Sequence, residues 1–162
     1  MRRAEGLAII PAALLLHNAE EAVGIPAMLT RAQAGLTSVL GAGWTLPSAH
    51  QYLVALVLLT AALFVLWLLS LRWDRLSYVL VVFQATMAIN VLTHVAGLVV
   101  FRGYAPGVVT AVLVEAVASV VVYRRLKRAG WMSRRQWVLL PILALLLHGP
   151  VALGLAALIL RT

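Results

Sequence analysis

Five stretches of this 162-residue chain are each about 20 residues long and nearly free of charge, at roughly 6–25, 51–71, 76–101, 105–123 and 136–160. That is the length a helix needs to cross a hydrocarbon core about 30 Å thick. In lipid such a run must satisfy its own backbone hydrogen bonds, which leaves the α-helix as its conformation. The balance of residues agrees: 64% are hydrophobic and 11% charged, against about 45–50% and 25% in soluble domains. The expectation is an all-α membrane protein, a bundle of about five transmembrane helices forming one domain over residues 1–162.

The basic residues give an orientation. With the N-terminus inside, the inner side collects Arg2, Arg3, Arg72, Arg75, Arg124, Arg125, Lys127, Arg128, Arg134 and Arg135, and the outer side only Arg31, Arg102 and Arg161. Positive charge favours the cytoplasmic side, so the N-terminus is expected inside and the C-terminus outside. The net charge of +8 is thereby explained by topology. No alternation of bases with aromatic residues suggests nucleic acid as a partner. There are no cysteines, which excludes disulfides, thiolate metal sites and cysteine nucleophiles. The first run resembles a signal peptide in its Arg2-Arg3 start, but it continues into His17, Asn18, Glu20 and Glu21 without a convincing cleavage site, so it is read as a retained span.

Between the first two spans, residues 26–50 contain Met28, Leu29, Leu36, Val39, Leu40 and Trp44. That apolar content favours a short helix in the outer interface, or a lid, over a surface loop. The second span carries only Thr60 as a polar residue from Val54 to Leu69 and reads as a packing helix, largely lipid-facing. In the fifth, Pro150 cannot donate to the Leu146 carbonyl, so a kink is expected beside His148.

The informative residues are those a bilayer disfavours. Three of the five acidic residues, Glu20, Glu21 and Glu115, lie inside the runs, as do His17, His94 and His148 of the four histidines, and Asn90. Each charged group at mid-membrane costs roughly 2.5–3.5 kcal/mol on insertion scales. Residues three and four apart share a helix face. His17 therefore stands over Glu20 and Glu21, Asn90 over His94, and Glu115 over Ser119. At a 1.5 Å rise per residue, His17 is ~17 Å and His94 ~27 Å from the inner end of its span. Glu115 is ~15 Å from its outer end by the same measure. A single buried polar site in the outer half of the bilayer accounts for that shared level.

His17-x-x-Glu20-Glu21 in a first apolar span resembles the signature of the HXXEE-motif family of small bacterial multi-pass membrane proteins. The Asn90-x-x-x-His94 pair and the turn Tyr104-x-Pro106-Gly107 are similar to other parts of that family. The resemblance implies a polytopic domain in the bacterial inner (cytoplasmic) membrane and no particular activity.

Four readings of the polar set remain open. In the first, His17, Glu20, His94, Glu115 and His148 bind a divalent metal, Zn, Fe or Mn, since imidazole and carboxylate suit these ions and no soft ligand is present. The protein would then be a metal-dependent enzyme with Glu20, Glu21, Glu115 and Asn90 as catalytic groups. A site in the outer half of the membrane points to membrane lipids as surroundings and to a hydrophobic small-molecule substrate, a lipid or isoprenoid. The second is metal-free acid–base isomerisation or cyclisation of an isoprenoid, a plan broadly similar to that of the emopamil-binding sterol isomerases. The third is a small transporter or proton relay, against which the absent internal repeat speaks. The fourth is purely structural pairing, worth only about 0.6 kcal/mol per interhelical bond. Arg102 could meet a phosphate headgroup or serve as an interface charge.

The topology has a direct test. A reporter fused after Thr162 should read as external and one in the Arg124–Arg135 connector as cytoplasmic. A cytoplasmic signal after Thr162 would overturn the five-span threading.

Overall fold

The computed structural model describes residues 4–40, 46–100 and 102–151. Five helices follow one another, and no strand occurs among the described residues. A single 3-10 turn, Glu5–Leu7, leads into α1, Ile9–Leu40. Next come α2, Ala49–Ser70, and α3, Arg75–Val100. Helix α4 is built in three parts: Val108–Thr110, a wide π turn Ala111–Glu115, and Ala116–Arg128. Helix α5 is Arg134–Leu146, continued by a second π turn, Leu147–Val151. Three helical stretches are long and apolar enough to cross a membrane: Glu5–Arg31, Ala49–Ser70 and Arg75–Val99.

Local chemistry explains the starts. Ser48 caps α2 by accepting from the Gln51 amide at 3.2 Å, while the Gln51 side chain accepts from the Ser48 amide at 2.9 Å. Ser133 and Gln136 repeat this reciprocal box at the start of α5, at 3.3 and 2.9 Å. Each box satisfies amides that a helix leaves without partners in its first turn. Pro11 falls in the first turn of α1, where its missing N–H costs nothing.

The segment after Ile25 differs from expectation. Helix α1 runs on through Pro26 to Leu40, where the sequence suggested a separate interfacial helix or lid over residues 26–50. Proline removes one donor, to the Ala22 carbonyl, but its fixed φ suits a helix. Burial on the continuing face offsets that loss: Ile25 and Leu29 pack with Leu56 of α2, and Leu46 and Tyr52 close around them. The apolar residues thus extend an existing helix face. Trp44 lies outside the described residues.

At Pro150 the expected disruption takes the form of the Leu147–Val151 π turn. An i→i+5 turn relieves a missing i→i+4 bond within the helix. The end of the fifth apolar run, from residue 152, lies outside the described residues.

The apolar core occupies the end of the bundle where α1 begins and α4 ends. Leu7 of the 3-10 turn and Ile10 and Leu14 of α1 meet Leu63, Leu80 and Val122 there. Helix α2 shows most of its surface, with only 11% of its apolar window buried, as expected of a packing helix. It is pinned at Thr60, whose hydroxyl accepts from the buried Asn18 side chain at 2.7 Å. One turn beyond this core, α1, α3 and α4 turn polar side chains towards each other.

Candidate functional site

The site is organised by the loop between α3 and α4. Gly107 is the residue before α4, with φ +83°, a left-handed conformation open to glycine at little cost. It also lies against the polar cluster. A Cβ there would stand 2.7 Å from His17 Cε1, 2.8 Å from Glu21 Cγ and 2.9 Å from His94 Cε1. Beside it, Pro106 packs on Gly24, where a Cβ would meet Pro106 Cγ at 2.6 Å. The loop therefore rests directly on the face of α1 that carries His17, Glu21 and Gly24.

Gly107 has no side chain to cap α4, and the start of a helix exposes unsatisfied amides. Glu20 of α1 supplies the cap. Its Oε2 accepts from the Thr110 amide at 2.7 Å and from the Thr110 hydroxyl at 2.6 Å. Its Oε1 accepts from the Val109 amide at 3.2 Å and from the Tyr104 hydroxyl at 2.6 Å. A carboxylate at a helix N-terminus also meets the positive end of the helix dipole. The bond to Glu20, with burial and the carboxylate charge, pushes the Tyr104 phenol up to about 12.

Glu21, one residue on and about 100° round the helix, faces into the cluster. His94 Nε2 lies 3.4 Å from Glu21 Oε1, and His17 Nε2 lies 3.9 Å from Glu21 Oε2. The two imidazoles meet edge to face, with centroids 4.7 Å apart. One ligand atom from each of His17, Glu21 and His94 falls within 4.8 Å of the others. Two atoms held ~2.1 Å from one tetrahedral ion are ~3.4 Å apart, so the three atoms would have to draw closer to share an ion.

His17 is 1% exposed, and its ring is held on both sides. Nδ1 is 3.3 Å from the Thr110 hydroxyl, and Nε2 is 3.1 Å from the Asn90 amide nitrogen. The tautomer that satisfies both contacts carries its proton on Nδ1. His17 then donates to Thr110, which donates to Glu20. Such a chain orients an imidazole through its far nitrogen.

Glu115 closes the π turn of α4 and is 0% exposed. Its Oε2 is 4.0 Å from His17 Nδ1. Asn90 approaches the carboxylate without closing a hydrogen bond to it, and both oxygens are left without partners. In this position Glu115 backs the His17 ring on the side away from Glu21. On the same helix, Ser119 bonds to the Glu115 carbonyl at 2.8 Å and accepts from the buried Gln84 at 2.8 Å.

The structure thus redistributes the expected ligand set. His17, Glu21 and His94 come together, Glu20 is turned away into the α4 cap, and Glu115 stands behind His17. His148, on the terminal π turn of α5, is half-buried and near enough to influence His94, but it is outside the cluster. Asn90 touches His17 directly. Thr110 and Tyr104 join the site although their hydroxyls did not stand out in the sequence. The signal that could have found them is Gly107: a helix opened by glycine needs an acceptor from elsewhere.

Three helices of membrane-crossing length, with a histidine–carboxylate cluster where α1, α3 and α4 meet, define a helical bundle suited to a bilayer and built around a polar centre. The chain belongs to the family described as proteins of unknown function with an HXXEE motif, which matches residues 8–122. That span takes in His17, Glu20, Glu21, Asn90, His94, Gly107, Thr110 and Glu115 and ends before His148. No curated protein and no solved structure matches the chain.

The two adjacent glutamates should separate on substitution. Glu20→Ala strands the Val109 and Thr110 amides at the start of α4 and should destabilise the fold by about 1–2 kcal/mol, the usual cost of losing a helix cap. Glu20→Gln retains an acceptor and should cost less, while Glu21→Gln should leave stability nearly unchanged. Thermal unfolding in detergent checks the order, and equal melting temperatures for Glu20→Ala and the parent would disprove the cap.

Proposed function

We propose that His17, Glu21 and His94 bind a divalent metal ion and that the protein is a membrane-embedded, metal-dependent enzyme acting on a lipid or isoprenoid. The observation that carries this is the approach of one atom from each residue to within 4.8 Å, together with the bracing of His17 through Thr110 to Glu20. Two imidazoles and one carboxylate suit Zn, Fe or Mn. Such an ion supplies Lewis acidity, or a bound water made acidic enough to react near neutral pH.

The chain's own groups divide the remaining work. Glu115, buried with both oxygens free of hydrogen bonds, is the candidate acid–base group. Asn90 positions the His17 ring, and the Pro106-Gly107 backbone covers the cluster. Apolar surface on α1 and α3, including Leu16, Val23 and Leu92, favours a hydrophobic substrate entering from the membrane. On this reading the site lies in the outer half of the bacterial inner membrane, with the N-terminus cytoplasmic.

One observation favours a second reading. The Asn90 amide nitrogen sits on His17 Nε2, the atom that would face the metal, and must swing aside for an ion to bind. With Asn90 in place, His17 and Glu115 form a metal-free acid–base pair suited to moving a hydrogen on an isoprenoid double bond.

Metal analysis of protein purified under aerobic and anaerobic conditions distinguishes the two. The metal reading expects about one ion per chain, lost in His17→Ala and reduced at least tenfold in affinity in Glu21→Gln. It expects retention in Glu20→Gln and Glu115→Gln. Absence of stoichiometric metal from folded protein in both preparations would replace this reading with the acid–base one.

A further inference from the structure

At the other end of α1 and α4, about 15 Å along the helix axis from His17, a cavity of about 440 Å³ opens between the two helices. Gly6, Leu7, Val122 and Leu126 form its apolar wall, and Arg125, Arg128 and Trp131 form its polar edge. None of its lining residues is acidic. The Arg125 guanidinium reaches the Gly6 carbonyl at 3.5 Å, which holds it across the opening.

A second cavity of about 340 Å³ adjoins the first, sharing Leu7, Leu126 and Trp131. Asp74, Arg75 and Ser77 also line it. The Ser77 hydroxyl is an independent sign of a ligand. Ser77 is 7% exposed, and its Oγ has no hydrogen-bond partner, an arrangement that calls for an occupant able to bond to it.

We propose that this joined cleft binds the headgroup of an anionic phospholipid, with Arg125 and Arg128 on the phosphate and Ser77 on a headgroup hydroxyl. The apolar wall of the cleft accepts the first carbons of an acyl chain, and the Trp131 indole lies at the boundary that tryptophan favours. A basic pocket between membrane helices is the geometry in which charged headgroups are held. Neighbouring Arg124 and Lys127 raise the local positive field. Charge separates this occupant from a zwitterionic lipid, and the apolar wall separates it from a free phosphate. The site shares no residue with the His/Glu cluster, so it stands or falls independently of the metal reading.

The test uses full-length protein in detergent, titrated with phosphatidylglycerol or phosphatidylcholine of identical acyl chains and followed by native mass spectrometry. One phosphatidylglycerol should bind at roughly tenfold lower concentration than phosphatidylcholine, the scale expected of two arginines. Arg125→Ala/Arg128→Ala should reduce that preference to within about twofold, while Arg125→Lys/Arg128→Lys keeps part of it. Arg134→Ala/Arg135→Ala, outside both cavities, should leave it intact. Ser77→Ala should weaken phosphatidylglycerol about threefold and leave phosphatidylcholine unchanged. Equal binding of the two lipids by the unsubstituted protein overturns the proposal, even if a variant fails to fold. So does an equal effect of the two alanine pairs, which would mark diffuse surface charge, or displacement of the lipid by inorganic phosphate at the same concentration.

Discussion

The capping of α4 by the Glu20 carboxylate is the interaction on which the site depends. Helix α4 starts at a glycine and has no cap of its own. A carboxylate from α1 gathers two of its amides and two hydroxyls, at 2.6–3.2 Å. This fixes where α4 begins relative to α1. It also places Thr110 against His17 and carries Glu115 to the far side of the same ring. In surroundings with little water, charge-assisted bonds of this kind are stronger than neutral ones, and an unmet amide is correspondingly costly.

Close approach adds a second constraint. The Gly107 backbone fills the space over His17, Glu21 and His94 so tightly that one additional carbon would collide with all three. Glycine here meets two demands together, a left-handed turn and a thin cover. The cluster is thereby roofed by main chain while one ligand atom from each of its three residues stays within 4.8 Å of the others. A site roofed in this way is shaped chiefly by the loop, and the loop in turn is held by Glu20 through Tyr104.

Much of this was legible in the sequence, for identifiable reasons. The helical class followed from run length and apolarity. The meeting of His17, Asn90, His94 and Glu115 followed from the cost of polar groups in lipid and from their four-residue spacing. The division of labour between Glu20 and Glu21 was not legible. Both stand three or four residues from His17, and only the position of α4 shows that one caps a helix while the other faces His94. Thr110 was missed because a hydroxyl in an apolar run is cheap and common, and Tyr104 was noted only as part of the turn before the fourth run. The continuation of α1 past Pro26 was hidden because the first apolar run was ended at residue 25 and the next stretch read as a separate element, whereas contacts of Ile25 and Leu29 with α2 carry the helix onward. His148 was grouped with the other histidines inside the apolar runs, but on the π turn that continues α5 it stays outside the cluster.

The π turn at Ala111–Glu115 amounts to one residue more than an α-helix would use. That extra residue sets the phase between the two ends of α4. Thr110 faces Glu20 on one side of it, and Glu115 faces His17 on the other. Deleting a residue within the turn would let α4 relax to regular geometry, with better backbone bonds, while rotating its two halves out of step by about 100°. The shortened helix could then keep its cap or its buried carboxylate, but not both. Helix regularity and site assembly are therefore opposed in α4, and a selection for stability alone would tend to remove the irregularity that assembles the site.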